Sequence, residues 1–513
     1  MAKIGTTFTN SGKKAVLCGS GELGKEFVIY DSKQDLDIPC VTERLNKKEN
    51  VQFILGEISS DDLEEISVCV VSPGVPLDTP VMKAVIGKGI PVWSEIELAY
   101  LYDKGEVIGI TGTNGKTGTS NLLTHIIRNS GKTVVNNSKG SNMAPGLASA
   151  LVTQCTLGGK VTADVAVLEV DERSSQYIYT EFTPDYILCT NLFRDSIMRN
   201  GHSGFIFDKI NDYLSEKTTL VLNGNDGISG LLGEGICNRV FYSVNKTERS
   251  TETCTDTVCD LIACPKCNHK LDYEFFHYNH IGVPKCSHCG FSMPESRFFA
   301  SDVDFENGTF VFNGDKGESL VLPFQKGNFF NVFNITGACA VCRLIGIDIE
   351  TIENSIEDLS SKTGRFQEKK YGGVEVVSML SKNQNPISCS QSLKYLDSTD
   401  TEKDVVLLIT DSNDKVHGHE DISWIYDTDF APLNNENIKT IYVGGSRCYD
   451  VANCLEIKGI NTDKLVLFEN YEKLAQEVSK KSVEGRSIVV YFELYATSVV
   501  EKIKNALSQK GVQ

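Results

Sequence analysis

Gly109-Ile-Thr-Gly-Thr-Asn-Gly-Lys-Thr117 decides how this chain is read. The apolar run around its start (Val107, Ile108, Ile110) has the composition of a buried strand. Ser120-Asn-Leu-Leu-Thr-His-Ile-Ile-Arg128 beyond it repeats apolar residues at helical spacing. Strand, glycine-rich turn, Lys-Thr and helix together make a cradle for a nucleotide triphosphate. Backbone N–H groups and the helix N-terminus face the phosphates, Lys116 adds a point charge, and the Thr117 hydroxyl can ligate Mg²⁺. Gly112, Thr113, Asn114, Gly115, Lys116 and Thr117 are the nucleotide-binding candidates. The general phosphate-loop pattern asks for glycine five residues before Gly115, and Ile110 stands there. A chance Gly-Lys-Thr on a surface loop is the competing reading, and the flanking strand and helix weigh against it.

The chain has 513 residues, enough for roughly three domains of about 150 residues each. Its net charge of −18 argues against nucleic acid as a partner, because phosphate neutralisation needs a basic face. Met1-Ala-Lys-Ile-Gly-Thr-Thr-Phe8 lacks the apolar core of a signal peptide, and no apolar run approaches the ~20 residues of a transmembrane helix. A cytoplasmic protein is expected. In that compartment the seventeen cysteines read as reduced thiols and metal ligands rather than disulfides.

Three α/β segments follow from pattern. Residues 1–103 carry strand-like runs at Lys14–Cys18, Phe27–Tyr30, Phe53–Leu55, Ser67–Ser72 and Pro91–Trp93, with a helix over Pro80–Ile86. Gly19-Ser-Gly-Glu-Leu-Gly24 has dinucleotide-loop spacing. The next strand, however, begins too soon for a parallel crossover, which needs a dozen or more residues, so a tight turn is expected. Residues 104–345 hold the phosphate loop and further strands at Ala163–Val170, Tyr186–Asn191 and Thr218–Asn223. Each ends in polar residues, where open parallel sheets place ligand-binding groups. Residues 346–513 alternate again, with strands at Val405–Ile409, Thr440–Val443, Lys464–Phe468 and Ser487–Phe492 and a helix over Tyr471–Val478.

Cys264-Pro-Lys-Cys267 and Cys286-Ser-His-Cys289 are two C-x₂-C knuckles with residues 268–285 between them. That spacing reads as a tetrahedral Cys₄ zinc ribbon at about 260–294. Four thiolates close the coordination sphere, so the metal would be structural; a redox dithiol is the alternative. Cys254 and Cys259 are left as free thiols. Glu169, Asp171 and Glu172 end a strand downstream of the loop. Of these, Glu169 is the candidate Mg²⁺ ligand opposite Thr117, with a helix N-cap cluster as the alternative. Arg194 and Asp195 stand between a site and a surface role. His202, His277, His280, His417 and His419 form no ligand pattern and are expected to be mostly solvated.

These stretches together resemble the Mur ligase family. Ile110–Thr117 is its ATP loop as it stands, Gly364-Arg-Phe366 resembles its Gly-Arg-Phe, and Asn331-Val-Phe-Asn334 resembles its Asn-x-x-Asn. The resemblance implies a precursor-binding Rossmann-like first domain, a central ATPase domain and a Rossmann-like third domain that closes over the site. It also implies phosphate contact by Arg365, and Asn331 and Asn334 beside the adenine. From about residue 106 onward the chain is most similar to the MurT branch. The carriers are Gly140–Met143, Leu168–Glu172, Thr190–Asp195, the Cys₄ ribbon and Asp421-Ile-Ser-Trp-Ile-Tyr-Asp427. That branch amidates lipid II with a GatD-type glutaminase partner, and the aspartate matching Asp421 completes the partner's catalytic triad.

Three stretches depart from that branch. Ser72–Pro80 and Gly89–Ala99 resemble the UDP-precursor domain of MurD. Asp195-Ser-Ile-Met-Arg199 has methionine where the family carries an acid, and Lys382-Asn-Gln-Asn-Pro386 follows neither branch's pattern. A UDP-type domain on a MurT-like body also resembles the pseudomurein peptide ligases of methanogenic archaea. The expectation is an ATP-dependent carbon–nitrogen ligase acting on a UDP- or lipid-linked cell-wall precursor, with Lys116, Glu169 and Asp421 as catalytic residues. The alternatives are amino-acid addition to a UDP-linked precursor without a glutaminase, and a non-catalytic nucleotide-gated scaffold.

Overall fold

The computed structural model describes residues 15–19, 27–31, 38–39, 51–64, 66–71, 75–94, 105–138, 142–153, 163–195, 200–325, 328–360, 366–381, 384–397, 400–410 and 421–510. Three main sheets, one per third of the chain, organise these residues. The sheet that carries the phosphate loop lies in the middle third. Its seven parallel strands run, in spatial order, Val134–Asn136, Val165–Glu169, Glu106–Thr111, Tyr186–Cys189, Thr219–Asn223, Asn238–Val244 and Phe298–Asp304. Thr309–Asn313 and Ser319–Pro323 extend it antiparallel. Glu106–Thr111 sits inside the sheet, bonded to Val165–Glu169 on one side and Tyr186–Cys189 on the other.

Successive side chains of a strand point to opposite faces, and here both faces are covered. Ile108, Ile110, Val165, Val167 and Leu188 pack on one face with Leu123, Ile126 and Ile127 of the helix Lys116–Asn129 and Val332 of the helix Phe330–Leu344. Val107, Ala166, Leu168, Ile187 and Cys189 pack on the other with Leu147, Leu151, Ile206 and Ile210. This two-sided burial explains why the strands are near-continuous apolar runs in sequence.

In the first third the strands stand in the order Val51–Leu55, Phe27–Asp31, Ala15–Gly19, Ile66–Val71, Val92–Ser94, which matches the first five places of the 3-2-1-4-5-6 Rossmann order. Ala15–Gly19 runs antiparallel to both neighbours. The chain therefore reverses between Gly19 and Phe27, as the short spacing requires; Ser20–Glu26 lie outside the described residues. The last third forms a mainly parallel sheet of Phe366–Tyr371, Val374–Ser381, Ser487–Glu493, Lys403–Leu408, Ile438–Gly444 and Leu465–Phe468. Only the first of these is antiparallel. It too is buried on both faces. Among the described residues, no helix is long and apolar enough to cross a membrane.

Candidate active site

At the carboxyl edge of the middle sheet the strand Glu106–Thr111 runs into the loop, and the loop into the helix beginning at Lys116. Gly112 and Gly115 have φ of 116° and 90°, a region that disfavours L side chains. At Gly112 space forbids substitution as well, because a Cβ would lie 2.8 Å from the Asn191 backbone oxygen; at Gly115 a Cβ would meet the Asn334 side-chain amide, which would have to move. The end of the neighbouring strand templates the loop. Thr113 N donates to Asn191 O (2.8 Å), Asn114 N to Asn191 Oδ1 (3.0 Å), and Thr190 Oγ1 to Asn114 O (2.7 Å). Thr113 Oγ1 accepts from Phe193 N at 2.9 Å.

Beside the loop lies a cavity of about 610 Å³, lined by Thr113–Thr117, Asn142, Met143, Glu169, Asp171, Arg173, Ser174, Gln176, Tyr177 and Asp195. Thr117 is exposed on the first helical turn. Glu169 is held from two sides: Asn142 Nδ2 donates to its Oε1 (3.2 Å), and its backbone N donates to Asn137 Oδ1 (2.8 Å). A threonine hydroxyl and an oriented carboxylate lining one cavity are the hard oxygen donors that Mg²⁺ prefers.

Lys116 is buried, and its Nζ donates to Gly112 O (2.7 Å) and forms an ion pair with Glu172, itself 2% exposed. Burial alone would push the ammonium pKa down. Glu172, by charge and hydrogen bond, overrides this with help from Glu169 and Asp171, and the group sits above its ordinary value of 10.5. Glu172 therefore serves as the counter-ion of the lysine.

Asp195 is buried at the cavity wall, where Asn385 Nδ2 donates to its Oδ1 (2.9 Å) and to Asn114 Oδ1 (3.2 Å). Asn385 belongs to the third sheet's domain and also caps the helix Pro386–Leu393 by accepting from Ser388 N. Arg194 points away from the cavity to bridge Asp260 Oδ1 (2.5 Å) and Asp427 Oδ2 (3.4 Å). Arg365, Gly140 and Ser196–Arg199 lie outside the described residues. Asn334 packs against Gly115, with Asn331 one turn earlier on the same helix. Asp421 is exposed elsewhere on the C-terminal domain, and its Oδ1 accepts from Ser423 N at 2.6 Å. That backbone bond, with help from the Ser423 side chain, lowers the carboxyl pKa.

The four ribbon sulfurs lie within 4.8 Å of one another, with Cys264–Cys289 and Cys267–Cys286 pairs at 3.6 Å. A tetrahedral zinc with ~2.3 Å bonds separates its sulfurs by about 3.8 Å, so the donor set fits that ion. Each knuckle closes through a left-handed residue, Asn268 (φ 61°) and Gly290 (φ 75°).

The ribbon grows from the hairpin Asp272–Tyr278 and Ile281–Lys285, and here the histidine expectation needs correction. His277 and His280 are buried at the hairpin turn. His280 Nε2 contacts Asp226 Oδ1 (3.2 Å), and Asp226 also accepts from Leu192 N (2.8 Å) and Ile228 N (2.9 Å). The His280 ring packs 4.5 Å from that of Phe193, the residue that bonds Thr113. Sequence gave no signal for this because a lone histidine between Asn279 and Ile281 has neither periodicity nor a ligand partner nearby. His202 is exposed, as expected, and caps the helix Ser203–Asn211; His417 and His419 lie outside the described residues.

With the geometry in place, three stretches of the chain match known domain families. These are Mur ligase MurD-like, N-terminal domain (residues 20–94), Mur ligase middle domain (110–252) and MurT ligase C-terminal (380–494). The lipid II isoglutaminyl synthase (glutamine-hydrolyzing) subunit MurT of Staphylococcus aureus (strain COL) is 30% identical over 377 residues, covering 73% of this chain and 83% of that protein. A UDP-N-acetylmuramoylalanine–D-glutamate ligase of Lachnospira eligens is 42% identical over 124 residues, 24% of this chain and 27% of the relative. In fold the chain is similar to a pseudomurein peptide ligase type C from Methanothermus fervidus, with TM-score 0.63 at 19% identity over 93% of this chain and 94% of that one. The chain belongs to the Mur ligase family, and it is an ATP-dependent carbon–nitrogen ligase. Within that family it is MurT-like over most of its length, with a MurD-like N-terminal part.

Proposed function

We propose that this ligase activates a carboxylate of a UDP- or lipid-linked cell-wall peptide precursor and converts it to an amide with ammonia from a GatD-like glutaminase subunit. The observation that carries the reading is the meeting of Lys116, Thr117, Glu169 and Asp195 around one cavity, with Asn385 of the C-terminal domain closing on its wall. Lys116 and the loop N–H groups stabilise charge on the γ-phosphoryl as the carboxylate attacks. The γ-phosphorus–oxygen bond to ADP breaks and an acyl phosphate forms; the amine then displaces phosphate. Thr117 and Glu169 would hold Mg²⁺, which supplies charge neutralisation between the phosphates. Cys264, Cys267, Cys286 and Cys289 would hold a structural Zn²⁺. Arg365, Asn331 and Asn334 are the proposed remaining ATP contacts, and domains 1–103, 104–345 and 346–513 the working units. Exposed and pre-ionised, Asp421 suits the completion of a catalytic triad on a docked glutaminase.

The test follows ADP release and amide formation with lipid- and UDP-linked precursors, supplied with either glutamine plus a glutaminase subunit or ammonia. Lys116→Ala should abolish both, by at least about 10²-fold. Asp421→Ala should remove glutamine-dependent turnover and spare ammonia-dependent turnover; equal loss of the two would sink its assignment. The MurD-like match over residues 20–94 favours a second reading, amino-acid addition to a UDP-linked precursor. Under that reading an amino acid, and not ammonia, drives turnover.

A further inference from the structure

The ribbon carries more donors than one tetrahedral ion needs. Each knuckle places a histidine two residues after a cysteine, in Cys267-Asn-His269 and Cys286-Ser-His288. The fold brings the two histidines together on the outer face, with rings stacked 3.5 Å apart and 11° from parallel. One donor atom each from Cys267, His269 and His288 lies within 4.8 Å of the others.

We propose that this outer face binds a second d-block cation, held by His269 and His288 and bridged to the inner ion through the Cys267 thiolate. His269 is already set up as a ligand. Its Nδ1 lies 3.2 Å from Cys267 O, and since a carbonyl only accepts, Nδ1 carries the proton and Nε2 presents its lone pair. Fixing a metal-binding imidazole through its other nitrogen is the ordinary outer-shell arrangement. His288 is exposed, so rotation about its side-chain bonds can turn it out of the stack toward an ion on His269 Nε2 while His269 keeps its bond to the Cys267 carbonyl.

Charge favours the step as well. Four thiolates around one divalent ion leave a net −2, which makes the sulfurs basic enough to bridge, while the imidazoles add ligands without adding charge. One sulfur and two nitrogens select Zn²⁺, Co²⁺, Ni²⁺ or copper over Mg²⁺ and Ca²⁺. The fourth position is open to water, so the outer ion exchanges readily where the inner one does not.

The proposal rests on the Cys₄ reading, and the two fail differently. Full-length, tag-free, reduced protein is loaded with Zn²⁺, desalted and counted for metal per chain, before and after a chromophoric chelator. Wild type should hold two ions and lose one at once to the chelator, whereas His269→Ala/His288→Ala should hold one, retained. In protein carrying Co²⁺ in the inner site, added Zn²⁺ should shift the thiolate-to-cobalt band in wild type and leave it unmoved in the double variant. One ion in the wild type, or two in the variant, overturns the outer site; no ion at all overturns the Cys₄ reading with it.

Discussion

Lys116 and Glu172 show how one buried pair sets the resting state of the site. A lysine this enclosed keeps its charge only because a carboxylate touches it, and phosphate must compete with that carboxylate. Glu172→Gln should lower the melting temperature of the nucleotide-free protein, since breaking a buried pair costs roughly 3–5 kcal/mol. It should also enlarge the shift on adding ATP, because phosphate becomes the counter-ion; a smaller ATP shift in differential scanning fluorimetry would count against this competition. His277 offers a pH test. Burial lowers its pKa to about 4, against the helping backbone bond to Val244 O. Between pH 6.5 and 4 the unfolded chain binds a proton that the native state refuses, so stability is complete above 6.5 and falls below it, by up to about 3 kcal/mol. His277→Gln should flatten that part of the stability–pH curve, as measured by denaturant melts at pH 7, 6 and 5.

At the scale of elements, the ribbon hairpin is a strut under the ATP loop. Its turn seats His280 against Asp226, Asp226 holds Leu192 N, and Phe193 holds Thr113. The cysteine-knuckle module and the phosphate loop, about 150 residues apart in sequence, are thus linked in space by three hydrogen bonds, the last two joined by the Leu192–Phe193 peptide bond. Asp226→Asn keeps the shape and removes the charge opposite His280. It should raise the dissociation constant for ATP several-fold and lower stability by about 1–3 kcal/mol. Calorimetric titration with a nonhydrolysable nucleotide checks it; unchanged nucleotide affinity despite lost stability would reduce the strut to packing alone. Strands and helices were legible here because apolar runs and helical spacing are local signals. The hairpin's seat was not, because Asp226 and His280 meet only through folding.

For the molecule as a whole, the C-terminal domain is fastened over the middle one by a few polar contacts. Asn385 reaches Asp195 and Asn114, Asp427 reaches Arg194, and Lys394 reaches Asp256 at 2.8 Å. Domain closure of this kind excludes water from a reactive acyl phosphate. Asn385→Asp would set a carboxylate against Asp195 and should open the closed state. The expected readout is a fall in kcat of tenfold or more with nearly unchanged ATP affinity, and a larger radius of gyration in solution scattering.

The sequence by itself determined the class of protein. Gly112, Gly115, Lys116 and Thr117 occupy one short turn, and the two cysteine knuckles announce themselves by spacing, so local chemistry was enough. It also determined that the first strands could not form a parallel crossover, because the chain between them is too short. Tertiary structure alone decided the rest: that Glu172, and not water, neutralises Lys116; that Arg194 fastens domains while Asp195 faces the cavity; and that His280 is a buried strut. Each of these depends on which groups lose water together, and that is fixed only when distant strands share a sheet and two domains share a surface.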